Sequence, residues 1–324
     1  MARDLYTRLY GNTQVELAKL MDEGELEIVR QYGIVLQQCR DKLDRIYKTY
    51  SKDGKLNNAA MSKANRLTSL QDDIEAILKE KVPSVTEYTR DLTEEMYKAS
   101  FYRHAYIIDQ AGGMSLSWGL VPRVAVERAI KGKYDKFAKS KMLSMPQKEA
   151  IAAIRKDLGQ AIIRGDSYPV LAKRIANHIG VDVKRAKAIY GNKGMAAWSI
   201  TVARTEGQRV LVEGQDAAYE KARELGCDVI AIWDATLDGR TRAAHAALDG
   251  QERNEAKGGW DVPGIGVVSA PLHSGVASFD VNCRCRLRSQ VKGYPPGERY
   301  IRGDGITAYQ TFEQWEVTQK TKVA

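Results

Sequence analysis

Two histidines and two cysteines in the last third of the chain, His245, His273, Cys283 and Cys285, match in type and number the ligands of a tetrahedral zinc site. One residue separates Cys283 from Cys285, fewer than a zinc knuckle generally uses, and the two histidines stand far apart. A strand nevertheless sends residues i and i+2 to the same face, so both sulfurs can aim at one point. Two other readings stay open at this level. The four side chains can pack as a metal-free buried cluster, since free cysteine is among the most buried residue types. Alternatively, Cys283 or Cys285 is a nucleophile with His245 or His273 as its base, its thiol made more acidic by neighbouring arginines.

The same alternation has a second consequence. If Cys283, Cys285 and Leu287 face inward, Arg284, Arg286 and Arg288 face outward together and, with Lys292, make a basic ridge. Guanidinium groups so spaced pair with phosphates and bind double-stranded DNA without reading its sequence. Acidic neighbours such as Asp280 or Glu298 would instead neutralise them. Upstream, Asp238, Arg240 and Arg242 follow the apolar run Val229–Trp233 in a turn. They are expected to form an ion-pair network with Arg204 and Glu206 that fixes a loop, or else to clamp a phosphate or carboxylate. Trp233 and Trp260 are expected to anchor the core.

These residues need a scaffold, and the pattern supplies one of class α+β. Residues 1–110 read as long helices in a bundle or an arm. Leu17, Leu20, Met21, Ile28, Val29, Tyr32 and Leu36 recur at helical spacing. A second helix fits 59–78 and should end near Pro83, because proline disfavours helical geometry in the residue before it. A third fits 84–110, stopped by Gly112 and Gly113. Residues 111–145, rich in breakers and then in lysine, read as a hinge. From 146, helices are expected up to Arg164, over 167–179, over 182–190 and over 196–225. They give way to a small antiparallel sheet with long loops, whose last strand is near 283–291. Residues 146–292 thus form a second domain and 293–324 a tail.

The chain has 324 residues, with 50 Lys and Arg against 41 Asp and Glu, a net charge of +9. The excess is spread over both halves and fits attraction to a polyanion such as nucleic acid. Mean hydropathy is −0.42, and no apolar run reaches the roughly 18 to 20 residues needed to cross a bilayer, so no membrane role is expected. Four cysteines, two of them one residue apart, do not suggest a disulfide framework, and synthesis in a reducing cytosol is expected. Glycine-rich phosphate loops and tandem repeats are absent, as are helix-turn-helix and zinc-finger spacings, which disfavours a regulatory DNA binder.

Taken in order, Ile163-Arg-Gly-Asp-Ser167, Ala203-Arg-Thr-Glu206, Trp233-Asp-Ala-Thr-Leu-Asp238-Gly-Arg240-Thr-Arg242-Ala-Ala-His245-Ala-Ala-Leu-Asp249-Gly-Gln251 and Asn282-Cys-Arg-Cys285 resemble the phage head morphogenesis domain. This is the Mu protein F-like group of minor capsid proteins in tailed phages. The resemblance implies a minor head component at the portal vertex or in the capsid interior, made in the host cytoplasm. It would have the portal protein, the major capsid protein or both as partners, and would act in head assembly or genome packaging and delivery. Only about 34 residues follow position 290, too few for an added catalytic domain. The chain is accordingly expected not to be an enzyme. The competing expectation is a metal-dependent or cysteine-based enzyme built on His245, Cys283 and Cys285.

Overall fold

The computed structural model describes residues 2–112, 116–131, 141–181, 194–291, 298–301 and 305–308. It is α+β, as the pattern predicts. Its helices are α1 (Ala2–Tyr50), α2 (Asn58–Ser62), α3 (Arg66–Gly112), α4 (Arg123–Lys131), α5 (Lys141–Arg164), α6 (Tyr168–Ile179), α7 (Met195–Glu224), α8 (Ala243–Ala246) and α9 (Ala277–Asp280). The strands are β1 (Val229–Asp234), β2 (Trp260–Val262), β3 (Gly266–Val268), β4 (Arg286–Val291), β5 (Glu298–Ile301) and β6 (Gly305–Ala308). They form three antiparallel pairs, β1 with β4, β2 with β3 and β5 with β6.

Contacts divide the chain into two compact units: residues 1–21, 92–130 and 204–324 in the first, and 22–91 with 131–203 in the second. This grouping differs from the sequential division at 110 and 146. Helices α1, α3 and α7 each contribute residues to both units. The lysine-rich 132–140 segment and the helix expected over 182–190 lie outside the described residues.

The second unit has an aliphatic core of Ile28, Leu36, Leu43, Ile74, Leu78, Ile154, Leu158, Ile175 and Ile179. Here the expected break at Pro83 does not occur, because α3 runs through it. Pro83 is exposed, while Leu78 before it and Val85 after it are buried in that core. Two such burials, at about 1.5–3 kcal/mol each, outweigh the roughly 3 kcal/mol cost of an interior proline. Helix α5 likewise begins at Lys141, ahead of Pro146. Helix α6 starts after Ser167, as expected. Gly180, at φ 86°, closes it by donating its N–H to the Ala176 carbonyl at 2.8 Å.

In the first unit, the β1–β4 register runs from Val229↔Val291 to Asp234↔Arg286. Trp233, Trp260, Phe279 and Leu287 pack with Val212, Tyr219 and Ala222 of α7, and the two tryptophan rings meet edge to face at 5.3 Å. Within this unit α7 approaches α3 closely at Gly214, where a Cβ would lie 2.4 Å from the Tyr97 carbonyl oxygen.

Candidate functional site

His245, Cys283 and Cys285 converge inside the first unit. Strand β1 delivers the chain into a loop that Asp249 holds by accepting the Ala235 N–H at 2.8 Å. The Thr241 hydroxyl donates to the Thr236 carbonyl, and the loop enters α8, where His245 is buried. The cysteines arrive from the other side on a backbone pinned at many points. The Asp280 carboxylate accepts from the Ser274 hydroxyl at 2.8 Å and the Gly275 N–H at 2.9 Å. Arg242 donates to the carbonyls of Phe279 and Val281 at 3.3 and 2.6 Å. Asn282, in left-handed backbone at φ 57°, gives its N–H to the Thr205 hydroxyl at 3.1 Å. The Thr236 hydroxyl and the Gln208 amide then hold the carbonyls of Arg284 and Cys285, each at 3.1 Å.

The result is a tight centre. His245 Nδ1 lies 3.2 Å from Cys285 Sγ and 3.4 Å from Cys283 Sγ, and one donor atom from each residue lies within 4.8 Å of the others. All three residues are at most 4% exposed. The imidazole packs on Phe279 with ring centroids 4.0 Å apart and meets the edge of Trp233 at 6.2 Å. Burial pushes the Cys285 thiol well above its ordinary pKa. The hydrogen bond with Cys285 pulls Cys283 the other way, below its ordinary value.

His273 does not join this centre. Its Nδ1 is 2.8 Å from the Pro271 carbonyl and its Nε2 is 3.7 Å from Glu213. Among the described residues three of the four expected ligands come together, because His273 follows a loop that serves its own backbone.

The alternation around position 284 holds for Cys283, Cys285 and Leu287, all buried. The expected solvent-facing arginine ridge is overturned. Arg284 forms a two-pronged ion pair with Asp238, with Nη2 2.7 Å from Oδ1, and this holds the Asp238 carboxyl near pKa 2. Arg286 donates to the Gln14 side chain at 2.6 Å, and Arg288 is 2% exposed. Arg284 and Arg286 are thus half-buried and engaged by other side chains, and Arg288 is enclosed. Lys292 lies outside the described residues.

Part of the expected ion-pair network is present. Asp238 pairs with Arg284, accepts the Arg240 N–H at 2.9 Å and meets the largely exposed Arg240 guanidinium at 3.5 Å. Arg242 serves backbone carbonyls instead. Glu206 belongs elsewhere, in a buried ion pair with Arg209 at 2.9 Å; Arg209 also reaches Glu213 at 2.5 Å and the Ala129 carbonyl at 2.9 Å. Arg204 is half-buried.

Residues 152–288, which include His245, Cys283 and Cys285, match the family described as Phage Mu protein F like protein. The chain is also 29% identical over 315 residues to "Minor head protein GP7" of Bacillus phage SPP1, covering 95% of this chain and 97% of that protein. It is 25% identical over 307 residues to "NAD(+)--arginine ADP-ribosyltransferase EFV" of Enterococcus faecalis (strain ATCC 700802 / V583). That alignment takes in 93% of this chain but 59% of the relative, so the chain spans well under two thirds of it. No solved structure matches. This chain is thus similar to a minor head protein over nearly its whole length. Among its described helices none is long and apolar enough to cross a membrane.

Sequence reasoning missed what surrounds the centre of this chain. Tyr6 donates to the Ser289 carbonyl at 2.5 Å and Tyr10 to that of Leu287 at 2.7 Å, and Gln14 meets Arg286. The three stand at i, i+4 and i+8, so a helical stripe beginning at Tyr6 rather than Leu17 was there to be read. Gln215, which donates to the Leu287 carbonyl at 2.5 Å and accepts its N–H at 3.2 Å, left no such signal.

Proposed function

We propose that this chain is a minor head protein of a phage that works in the capsid interior or at the portal vertex, engaging the portal protein, the major capsid protein or both during head assembly and genome packaging or delivery. The observation that carries the reading is the near end-to-end similarity to a minor head protein. Non-specific contact with packaged double-stranded DNA is part of the proposal. It rests on the net charge of +9 and not on Arg284, Arg286 and Arg288, which the fold already engages.

The reading is also non-catalytic. The His245–Cys285 contact favours the alternative, a cysteine-based or metal-dependent enzyme. Against it, a nucleophilic thiol needs an accessible, electropositive setting, whereas these thiols are buried and Cys285 is held protonated. Co-expression with the portal and major capsid proteins of the same phage tests the head role. The chain is expected to co-sediment with assembled heads or portal rings through a density gradient. A chain that stays at the top of the gradient in the presence of both overturns the proposal.

A further inference from the structure

We propose that His245, Cys283 and Cys285 hold one zinc ion, which staples α8 to the segment leading into β4. The donor set is borderline-soft nitrogen and sulfur, the chemistry zinc selects. Bond lengths of about 2.3 Å for Zn–S and about 2.0–2.1 Å for Zn–N set tetrahedral N···S edges of about 3.5 Å. The observed separations of 3.2 and 3.4 Å come close to that before any ion draws the donors together.

Charge favours the same occupant. Zinc with two thiolates and a neutral imidazole is a neutral complex, so placing it in a buried site avoids the large penalty of an isolated charge. Binding releases two thiol protons, Zn²⁺ taking the place of the hydrogens on both sulfurs while Nδ1 offers its lone pair. Without an ion the pocket is poorly satisfied. The ring Nδ1 faces two thiols and can accept from only one of them. The backbone is already held in the ligating arrangement by Arg242, Asp280, Thr205, Thr236 and Gln208, as the groups behind the ligands do in a metal site.

Among the described residues His273 does not join the other three, so three protein donors are supplied and the fourth position is left to a single enclosed water. The role assigned is structural, because burial of all three residues denies a substrate approach.

The full-length chain, purified without chelator, tests this by elemental analysis and by cobalt substitution. The expected result is about one zinc per chain, with Co²⁺ giving near-ultraviolet thiolate charge-transfer bands and strong visible bands of a tetrahedral ion. Cys283→Ser should abolish both signals, while Cys39→Ser and Cys227→Ser should leave them intact. Should Cys283→Ser fail to fold, the native chain still decides. Chelator should lower its melting temperature by about 5 °C or more and zinc, not magnesium, should restore it. A native chain that takes up no zinc or cobalt after dialysis against either, or a folded Cys283→Ser chain that keeps its metal, overturns the assignment.

Discussion

The two units bury different kinds of side chain. Among the described residues, Glu25, Thr89 and Ser199 are the buried polar positions of the second unit, and its core is otherwise aliphatic with a few tyrosines. The first unit buries Gln14, His104, Glu206, Gln208, Arg209, Gln215, Asp234, His245, Arg288 and Ser289. An aliphatic core is non-directional and tolerates small changes, whereas buried polar groups must find partners and so fix one arrangement at higher risk. The first unit is therefore where single changes, and pH, should matter most.

Acid should expose the contrast most strongly. His104 is 1% exposed, with Nδ1 2.7 Å from the Ser100 carbonyl and the Tyr10 and Tyr219 rings at its edges. Burial, helped by the Arg286 and Arg103 charges and opposed by the hydrogen bond with the Ser100 carbonyl, lowers its pKa from 6.5 to about 4. The unfolded chain therefore binds the proton first. The stability that neutral His104 contributes is complete above about pH 6.5 and is lost as pH falls toward 4, to the extent of about 3 kcal/mol. Urea midpoints measured between pH 7 and 4 should fall accordingly, and His104→Phe should flatten the slope over that window. An unchanged slope in the variant would remove His104 from the account.

Gly214→Ala comes next, because a methyl group cannot share space with the Tyr97 carbonyl. We expect a loss of about 2–3 kcal/mol, read as a lowered denaturation midpoint with an unchanged m-value. Tyr10→Phe removes one of the two donors to the Leu287 carbonyl, Gln215 being the other, and should cost about 1 kcal/mol. Ile175→Val, in the aliphatic unit, should cost about 0.5–1.5 kcal/mol. A larger loss there than for Tyr10→Phe would invert the comparison. Finally, replacing Arg284 and Arg286 should lower the melting temperature and leave the salt dependence of DNA retention unchanged; a reduced salt slope would return them to a phosphate-facing role.

How legible each unit was follows the same physics. Leu36, Leu70, Ile74, Ile154 and Leu158 announced their helices because an apolar stripe encodes its own element. Pro83 misled because a local preference was outweighed by burial on either side of it. The inward turn of Cys283 and Cys285 was legible from a period of two, since that pattern depends on backbone alone. What covers the opposite face was not, because Gln14, Asp238 and Tyr6 lie tens to hundreds of positions away and long-range partners leave no trace in spacing. The failure of His273 as a ligand is of the same kind: residue type marked it, but its loop's own hydrogen bond claimed the ring.

The central claim is that the cysteine and histidine centre is closed to solvent and belongs to the cooperative core of the first unit. Alkylation of the folded chain with iodoacetamide, read by mass spectrometry at rising urea, tests it most directly. Cys283 and Cys285 should stay unlabelled until the first unit unfolds, and should then react together at its transition. Labelling of either residue in the native chain at a rate near that of a free thiol would contradict the claim.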